Sequence, residues 1–432
     1  MKTTYPLIFI LAAFFFVMPR QGFAQMLSPD KISYSIFVND RFDFMNDFYD
    51  SGKRNFKEDL NLHVLYVDPA VTVSLGPYLQ AVAEVDGQFI YELGDSRINR
   101  DIDLLNGYLK AVIPGAQWMS VAVGQQSLST AGGFIYDDES PTVRYRADLE
   151  RGFDLPLKFD TLISRIKKNS PYVHAELKYC FSLLESGSFI YGYYRDRSNS
   201  IARIYNALEF DNLYKSRSKT QWFGLSMRKF LGNVLMRGTA LYETGTAHLL
   251  PKKLTAAERE FRTRGYLLDL NFDYSLNDRC TLTGFFFMAS GDSRPQHGAL
   301  NTFFAINPFI DKTNIFFNGG IDSQFSSDNV GIGGKQLAGV ITPGLNVDIR
   351  LNHRIEMKFT GAYLFTQRTA AGQGRVYGWE TDCTAYYNLR DNVQFFAEAS
   401  FFNPGAYFRH QTGRQTNQST EFLFGISYLF GN

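Results

Sequence analysis

Two stretches of this 432-residue chain place a charged or amide side chain at every second position. Asp269, Asn271 and Asp273 alternate with Leu268, Leu270, Phe272 and Tyr274, and Asn346, Asp348 and Arg350 alternate with Leu345, Val347 and Ile349. A period of two makes a strand with one apolar and one wet face. A packed sandwich core would not accept the wet face, whereas a water-filled lumen does. Sorted by the same alternation, the inward set divides along the chain. An earlier group is basic: Arg144, Arg146, Lys158, Lys178, Arg195, Arg197, Arg228 and Arg237, with Glu176 among them. A later group is acidic: Asp269, Asp273, Asp348, Glu380, Asp382 and Glu398, mixed with Arg350, Glu356 and Lys358. A basic arc facing an acidic arc sets up a transverse field that orders water and selects among polar solutes. The plainer alternative is that these charges solvate a wide lumen or pair along its wall.

Other residue types offer little bond-making chemistry. The six histidines, His63, His174, His248, His297, His353 and His410, are scattered, with no H-E-x-x-H and no nucleophile-base spacing. The chain is therefore read as no enzyme. A lipid hydrolase with a Ser and a His on its outer wall stays as an alternative, because such dyads need no proximity in sequence. The three cysteines, Cys180, Cys280 and Cys383, fall in separate strand-like segments and read as incidental thiols. Asp137-Asp138-Glu139, after Gly132-Gly133-Phe134-Ile135-Tyr136, has the oxygens for a divalent cation. A solvated outer loop beside cation-bridged lipid headgroups explains it better, and no cofactor or metal is assigned. The segment 291 to 334 carries Phe303, Phe304, Phe309, Phe316 and Phe317 together with Gly319, Gly320, Gly331, Gly333 and Gly334. A purely solvated loop needs no such aromatic content. It either folds inward as a constriction, caps the mouth or contacts a neighbouring protomer.

These residues need a scaffold, and the alternation supplies one. Lys2, the apolar run Leu7 to Val17 and the small residues of Gly22-Phe23-Ala24 form a secretory signal peptide over 1–24, cleaved after Ala24. Residues 25–432 then read as a single domain exported through the general secretory pathway. No later apolar run approaches the roughly 20 residues of a membrane helix. Yet 45% of the chain is hydrophobic and 16% aromatic, with 36 glycines. Apolarity without runs means strands. Lys+Arg 44 against Asp+Glu 43 leaves a net charge of +1, which argues against a nucleic-acid partner.

Segments of roughly 9 to 14 residues recur between tight turns and longer polar stretches, the rhythm of an outer-membrane barrel. Tight turns are expected at 75–78, 114–116, 185–187, 231–233, 277–279, 352–354 and 390–392. Long connections are expected over 43–58, 91–103, 125–142, 197–218, 247–261, 291–334, 368–374 and 403–418. The fold class is thus all-β, a transmembrane antiparallel β-barrel of about 18 strands (16–18). Strands are expected to start near 32, 59, 79, 104, 117, 143, 155, 172, 188, 219, 234, 264, 280, 336, 355, 375, 393 and 419. Both termini and the short turns face the periplasm, and Pro343 marks a bulge. The last strand places Phe422, Phe424, Ile426, Tyr428 and Phe430 toward lipid and Glu421, Gly425 and Ser427 inward. It should pair with the strand near 32–42 and close the ring. Its aromatic end resembles the signal read by the barrel assembly machinery.

The stretch Val121-Ala122-Val123-Gly124-Gln125-Gln126-Ser127-Leu128-Ser129 and the Ala289-Ser290-Gly291-Asp292 element before the longest loop resemble the alginate-export-like family of outer-membrane channels. That resemblance implies an 18-stranded monomeric channel passing anionic polysaccharide or other polar solutes. Gln125 stands where the family has an arginine. The expectation is a passive, porin-like channel of a Gram-negative outer membrane. Hydrophilic and anionic solutes, or a polysaccharide such as alginate, would pass, with Arg144, Arg146, Lys178, Arg195 and Arg237 attracting anionic groups and Asp269, Asp348, Glu380 and Asp382 opposing them. The other readings are a non-conducting receptor or scaffold barrel and a barrel lipid hydrolase. Expected partners are membrane lipid and lipopolysaccharide, the assembly machinery and the polar solute.

Overall fold

The two-residue alternation becomes a continuous ladder of strands in the computed structural model. It describes residues 31–46, 49–50, 55–56, 60–93, 98–166, 170–180, 185–197, 214–251, 258–293, 299–317, 338–369, 374–408 and 418–431. The signal peptide expected over 1–24 lies outside the described residues, as do the loop glycines at 319–334. In chain order the strands are β1 (Ile32–Asn46), β2 (Leu60–Ser74), β3 (Leu79–Glu92), β4 (Ile98–Ile113), β5 (Ala116–Thr130), β6 (Tyr136–Asp148), β7 (Leu157–Ile166), β8 (Ser170–Tyr179) and β9 (Ser186–Asp196). They continue as β10 (Tyr214–Leu231), β11 (Val234–Pro251), β12 (Arg259–Asn277), β13 (Cys280–Ala289), β14 (Val340–Arg350), β15 (Ile355–Phe365), β16 (Val376–Arg390), β17 (Val393–Pro404) and β18 (Ser419–Gly431). Each pairs antiparallel with the next, and β18 pairs with β1 from Ser35 opposite Gly431 to Asn46 opposite Thr420. The result is a closed 18-strand antiparallel barrel. Closure leaves no ladder edge, as a lipid setting requires.

On β18, Phe422, Phe424 and Phe430 are 48%, 41% and 49% exposed on the outer wall, while Glu421 and Leu423 are buried. Because a one-residue slip would reverse both faces, this contrast fixes the register around the ring. The rim at which β1 begins and β18 ends also carries the tight turns at 75–78, 114–115, 232–233, 278–279, 351–354 and 391–392.

Four strands begin five to seven residues before their expected starts: β4, β6, β10 and β12 rise past the apolar band with polar residues that read as loop in sequence. The largest change is at the connection expected over 125–142, which shrinks to residues 131–135. Ala131, Gly132 and Gly133 follow one another at positive φ, 55°, 68° and 88°, and turn the chain sharply. Asp137, Asp138 and Glu139 therefore sit within β6, not on an outer loop. Between β6 and β7 lies a single helical turn, α1 (Leu149–Phe153), ended by Asp154 in the left-handed region. The turn expected at 185–187 is longer, since β8 ends at Tyr179 and β9 starts at Ser186. Pro343 makes no bulge. It sits opposite Phe286 in register, and on its other side Ile341 opposite Phe365 and Gly344 opposite Ala362 share one register. Proline removes one donor here without displacing the strand.

The hydrophobic core lies inside the ring. Leu128, Trp222, Leu241, Leu267, Phe287, Leu364, Tyr377 and Phe402 point inward from the wall and are buried together with Phe303, Phe316 and Phe317 from the long β13–β14 connection.

Candidate pore and its constricting loop

Residues 299–317 cross the lumen and are tied to three parts of the wall. Ala299 and Leu300 run parallel to Arg262 and Thr263 of β12. Asp292 Oδ2 accepts from the Asn301 N–H at 2.9 Å, and Ser290 Oγ accepts from the Tyr266 N–H at 3.0 Å, so the Ala-Ser-Gly-Asp element shapes the loop entry. Trp222 Nε1 on β10 donates to the Phe304 carbonyl at 3.0 Å, and the Phe304 N–H donates to Glu243 of β11.

The loop then reaches the inturned tip between β5 and β6. Ile306 N–H donates to the Ile135 carbonyl at 2.8 Å, Asp137 N–H to the Asn307 carbonyl at 2.7 Å and Phe309 N–H to the Gly133 carbonyl at 3.0 Å. A Cβ on Gly133 would lie 3.2 Å from the Phe309 carbonyl oxygen, so glycine permits both the positive φ and the close approach. Asn307 Nδ2 also donates to Asp138 Oδ2 at 3.0 Å. The acidic stretch thus anchors the loop, and no group of three metal-competent side chains occurs among the described residues.

Beyond the tip, Lys312 Nζ lies 2.6 Å from Asp269 Oδ1 and donates to Asn271 Oδ1 at 3.0 Å. The chain then meets β16 and β17. Thr313 Oγ1 donates to Glu380 Oε2 at 2.8 Å, the Ile315 N–H to Glu380 Oε1 and the Phe316 N–H to Glu380 Oε2 at 3.0 Å. Asn314 Nδ2 donates to Ser400 Oγ at 2.8 Å, and the Asn314 N–H to Asp382 Oδ2 at 3.4 Å. Phe316 packs 5.0 Å from Tyr377, and Phe317 meets Phe287 edge-on at 5.5 Å. Phe303, Phe304, Phe316 and Phe317 are buried and Phe309 is half-buried.

Register and burial place Arg144, Arg146, Lys178, Arg228, Arg237, Asp269, Asp273, Asp348, Glu380, Asp382 and Glu398 on the lumen face. Arg195 is a correction. It shares the parity of Phe189, which is 57% exposed on the outer wall, while Ile190, Tyr194 and Asp196 are buried inside. Arg197 follows the end of β9, where its N–H donates to Ser170 Oγ at 2.8 Å.

The two-arc field is also altered. Arg144 binds Asp160 through two bonds, Nε to Oδ1 at 2.8 Å and Nη2 to Oδ2 at 2.6 Å, and Arg146 Nε reaches the same Oδ2 at 3.2 Å. Arg237 Nη2 lies 2.8 Å from Asp273 Oδ2, joining a basic to an acidic residue on neighbouring strands, and Lys178 lies 3.6 Å from Glu176. Arg228 has no ion pair among the described residues and stacks 5.8 Å over Phe230. On the acidic side, Glu380 and Asp382 are buried beneath the crossing loop and Glu398 is buried beside them on β17, so none of the three lines open water. The carboxylates of Glu380 and Asp382 collect loop donors, and Glu398 accepts from Thr384 Oγ1 on β16 at 3.4 Å, which is how buried charge becomes tolerable.

Open space remains on the basic side. A lumen cavity of about 560 Å³ is lined by Lys158, Lys178, Arg228 and Arg237, by Glu150, Glu176 and Asp269, and by Gly132 and Phe134 of the inturned tip. A smaller one of about 270 Å³ is lined by Arg144 and Arg146 with Lys110, Asn106, Tyr108 and Gln126. Sequence reasoning missed Lys110, Asp160, Glu243 and Lys312. Lys110 and Asp160 have the right parity on their strands, whereas Glu243 and Lys312 become visible only through the loop path. The Cys180, Cys280 and Cys383 thiols are free.

No family model matches the chain, and no curated protein matches it in sequence. Solved structures do match in fold. OccAB4 of Acinetobacter baumannii superposes with a TM-score of 0.58 at 10% identity, covering 93% of this chain and 98% of that one. OccK2 (OpdF) of Pseudomonas aeruginosa gives 0.55 at 12% identity, covering 93% and 98%. The outer membrane protein OprD of the same organism gives 0.52 at 11% identity, covering 93% and 94%. The chain therefore has the barrel architecture of these outer-membrane proteins, the porin-type fold that the alginate-export-like resemblance implied, without support for its polysaccharide specificity.

Proposed function

We propose that the protein is a channel of the bacterial outer membrane through which small hydrophilic solutes bearing negative charge diffuse. The observation that carries this reading is the pair of lumen cavities whose linings hold Lys158, Lys178, Arg228 and Arg237, and then Lys110, Arg144 and Arg146, against Glu150, Glu176 and Asp269. Cations on a low-dielectric wall concentrate anions and orient carboxylates. Among the similar structures, one is OccK2 in complex with glucuronate and another OpdK with vanillate, both carboxylates. The crossing loop favours compact solutes over an extended polysaccharide such as alginate, since residues 299–317 interrupt a straight path along the axis. In this reading the turn-bearing rim and both termini face the periplasm, the chain arrives through the secretory pathway after losing 1–24, and no chemistry is performed on the solute.

The test is planar-bilayer recording of the refolded mature chain with liposome swelling alongside. Ion-conducting steps, a reversal potential of anion-selective sign and faster entry of glucuronate than of a neutral hexose are expected. A barrel that conducts no ions would replace this reading with that of a receptor or scaffold, and equal entry of both sugars would remove the anionic preference.

A further inference from the structure

The outer wall of β9 to β12 carries a cluster of cations that the channel reading does not use. Ladder pairs set Tyr191, Phe223, Tyr242 and Tyr266 in one row across these four strands, all on the lipid side. Phe223, Tyr242 and Tyr266 are 47%, 48% and 40% exposed. Four residues further from the turn-bearing rim the same registers align Arg195, Lys219, Thr246 and Arg262. Lys215, Arg217 and Arg264 share that outward parity and are exposed, and none of these six cations has an ion pair among the described residues. The one outward carboxylate on these registers, Glu260, lies 3.7 Å from His248. Arg195, Arg197, Lys215, Arg217 and Lys219 line a groove of about 590 Å³ with Thr246, His248 and one carboxylate, Asp196.

Four residues of strand span about 13 Å, or about 10 Å along the membrane normal at a tilt near 40°. An aromatic row marks the boundary between acyl chains and headgroups. The cations then stand at the depth of the first headgroup phosphates, on the side of the longer connections. We propose that this face binds the phosphate groups of an outer-leaflet glycolipid, a phosphorylated lipid A type of headgroup, with Arg and Lys making charge-assisted bonds while the aromatic row packs on the acyl chains. The proposal rests on the outer-membrane orientation given above. Neither an apolar belt alone nor a lumen-facing site would need this placement.

Native mass spectrometry of the folded mature protein in detergent tests it, using bis-phosphorylated lipid A, the same lipid after dephosphorylation, and inorganic phosphate as probes. The bis-phosphorylated lipid should stay bound, with the dephosphorylated lipid and inorganic phosphate at least tenfold weaker. Lys215→Gln/Arg217→Gln/Lys219→Gln should lower affinity at least tenfold. Arg262→Gln/Arg264→Gln gives an independent variant if the first does not fold. Equal retention by wild type and folded variants overturns the proposal, as does equal binding of the dephosphorylated lipid. Displacement by equimolar inorganic phosphate overturns it too, because the site would then be one for free anions. Bilayer conductance of the same samples separates the two readings: a conducting barrel without lipid selectivity fails this proposal alone, and a silent barrel that retains the lipid fails the channel alone.

Discussion

Glu380 on β16 and Thr313 in the crossing loop, 67 residues apart, are joined by a 2.8 Å hydrogen bond inside the lumen. The same carboxylate accepts the Ile315 and Phe316 amides, so one side chain fixes a turn of the crossing loop. Glu380→Ala would leave both amides buried without an acceptor, at about 1–3 kcal/mol each. Single-channel recordings of this variant should show larger and noisier conductance steps than wild type, with Glu380→Gln intermediate because its amide oxygen still accepts. Identical conductance in all three would show that the loop does not limit flow.

Asp160 should act as a brake on anion selectivity. It neutralises Arg144, which is 20% exposed, more completely than Arg146, which is 51% exposed. Asp160→Asn frees the pair and should move the reversal potential toward anions. Arg146→Glu and Arg144→Glu should each move it toward cations, since either replaces a cation beside Asp160 with a second carboxylate. Unchanged reversal potentials in all three would remove these residues from the conduction path.

Lys312 and Asp269 are only 11% and 9% exposed. Lys312→Met strands a buried carboxylate and should cost about 3–5 kcal/mol, while pairing it with Asp269→Leu should recover most of the loss. A double-mutant cycle from urea unfolding in micelles measures the coupling, and simple additivity would show that the contact carries none.

Trp222 reports on the first half of the loop. With Trp118 and Trp379 changed to Phe, its emission should be blue-shifted and inaccessible to iodide, because the ring is 1% exposed and its N–H is bound to Phe304. Glu243→Ala should expose it by removing the acceptor of the Phe304 amide. Unchanged quenching would mean that Trp222 alone seats this half of the loop.

The ring was legible because lipid enforces alternation on every strand, and all 18 expected strands are found. Legibility failed where the loop changes what the lumen is. Opposite residues 299–317 the inner face becomes apolar, with Ile190, Trp222, Leu241, Leu267 and Phe287, so apolarity no longer tells inside from outside. Arg195 is misplaced for that reason, because it follows one tyrosine outside, Tyr193, and another inside, Tyr194. Glu380 and Asp382 have the face their alternation predicts but different surroundings, since nothing local announces a loop that will cover them. Asp137-Asp138-Glu139 has the composition of a surface turn, and only the inturned tip at 131–135 draws it into a strand.

Because β1 and β18 share a ladder, the first and last strands of the barrel must meet before either has both of its neighbours. Loop-closure entropy makes that contact slow, and every intermediate before it exposes two long unpaired edges able to template aggregation. Completion of this barrel is thus all-or-none with respect to β18. A chain shortened by that strand would be left as an open sheet, dependent on chaperones, instead of a smaller pore.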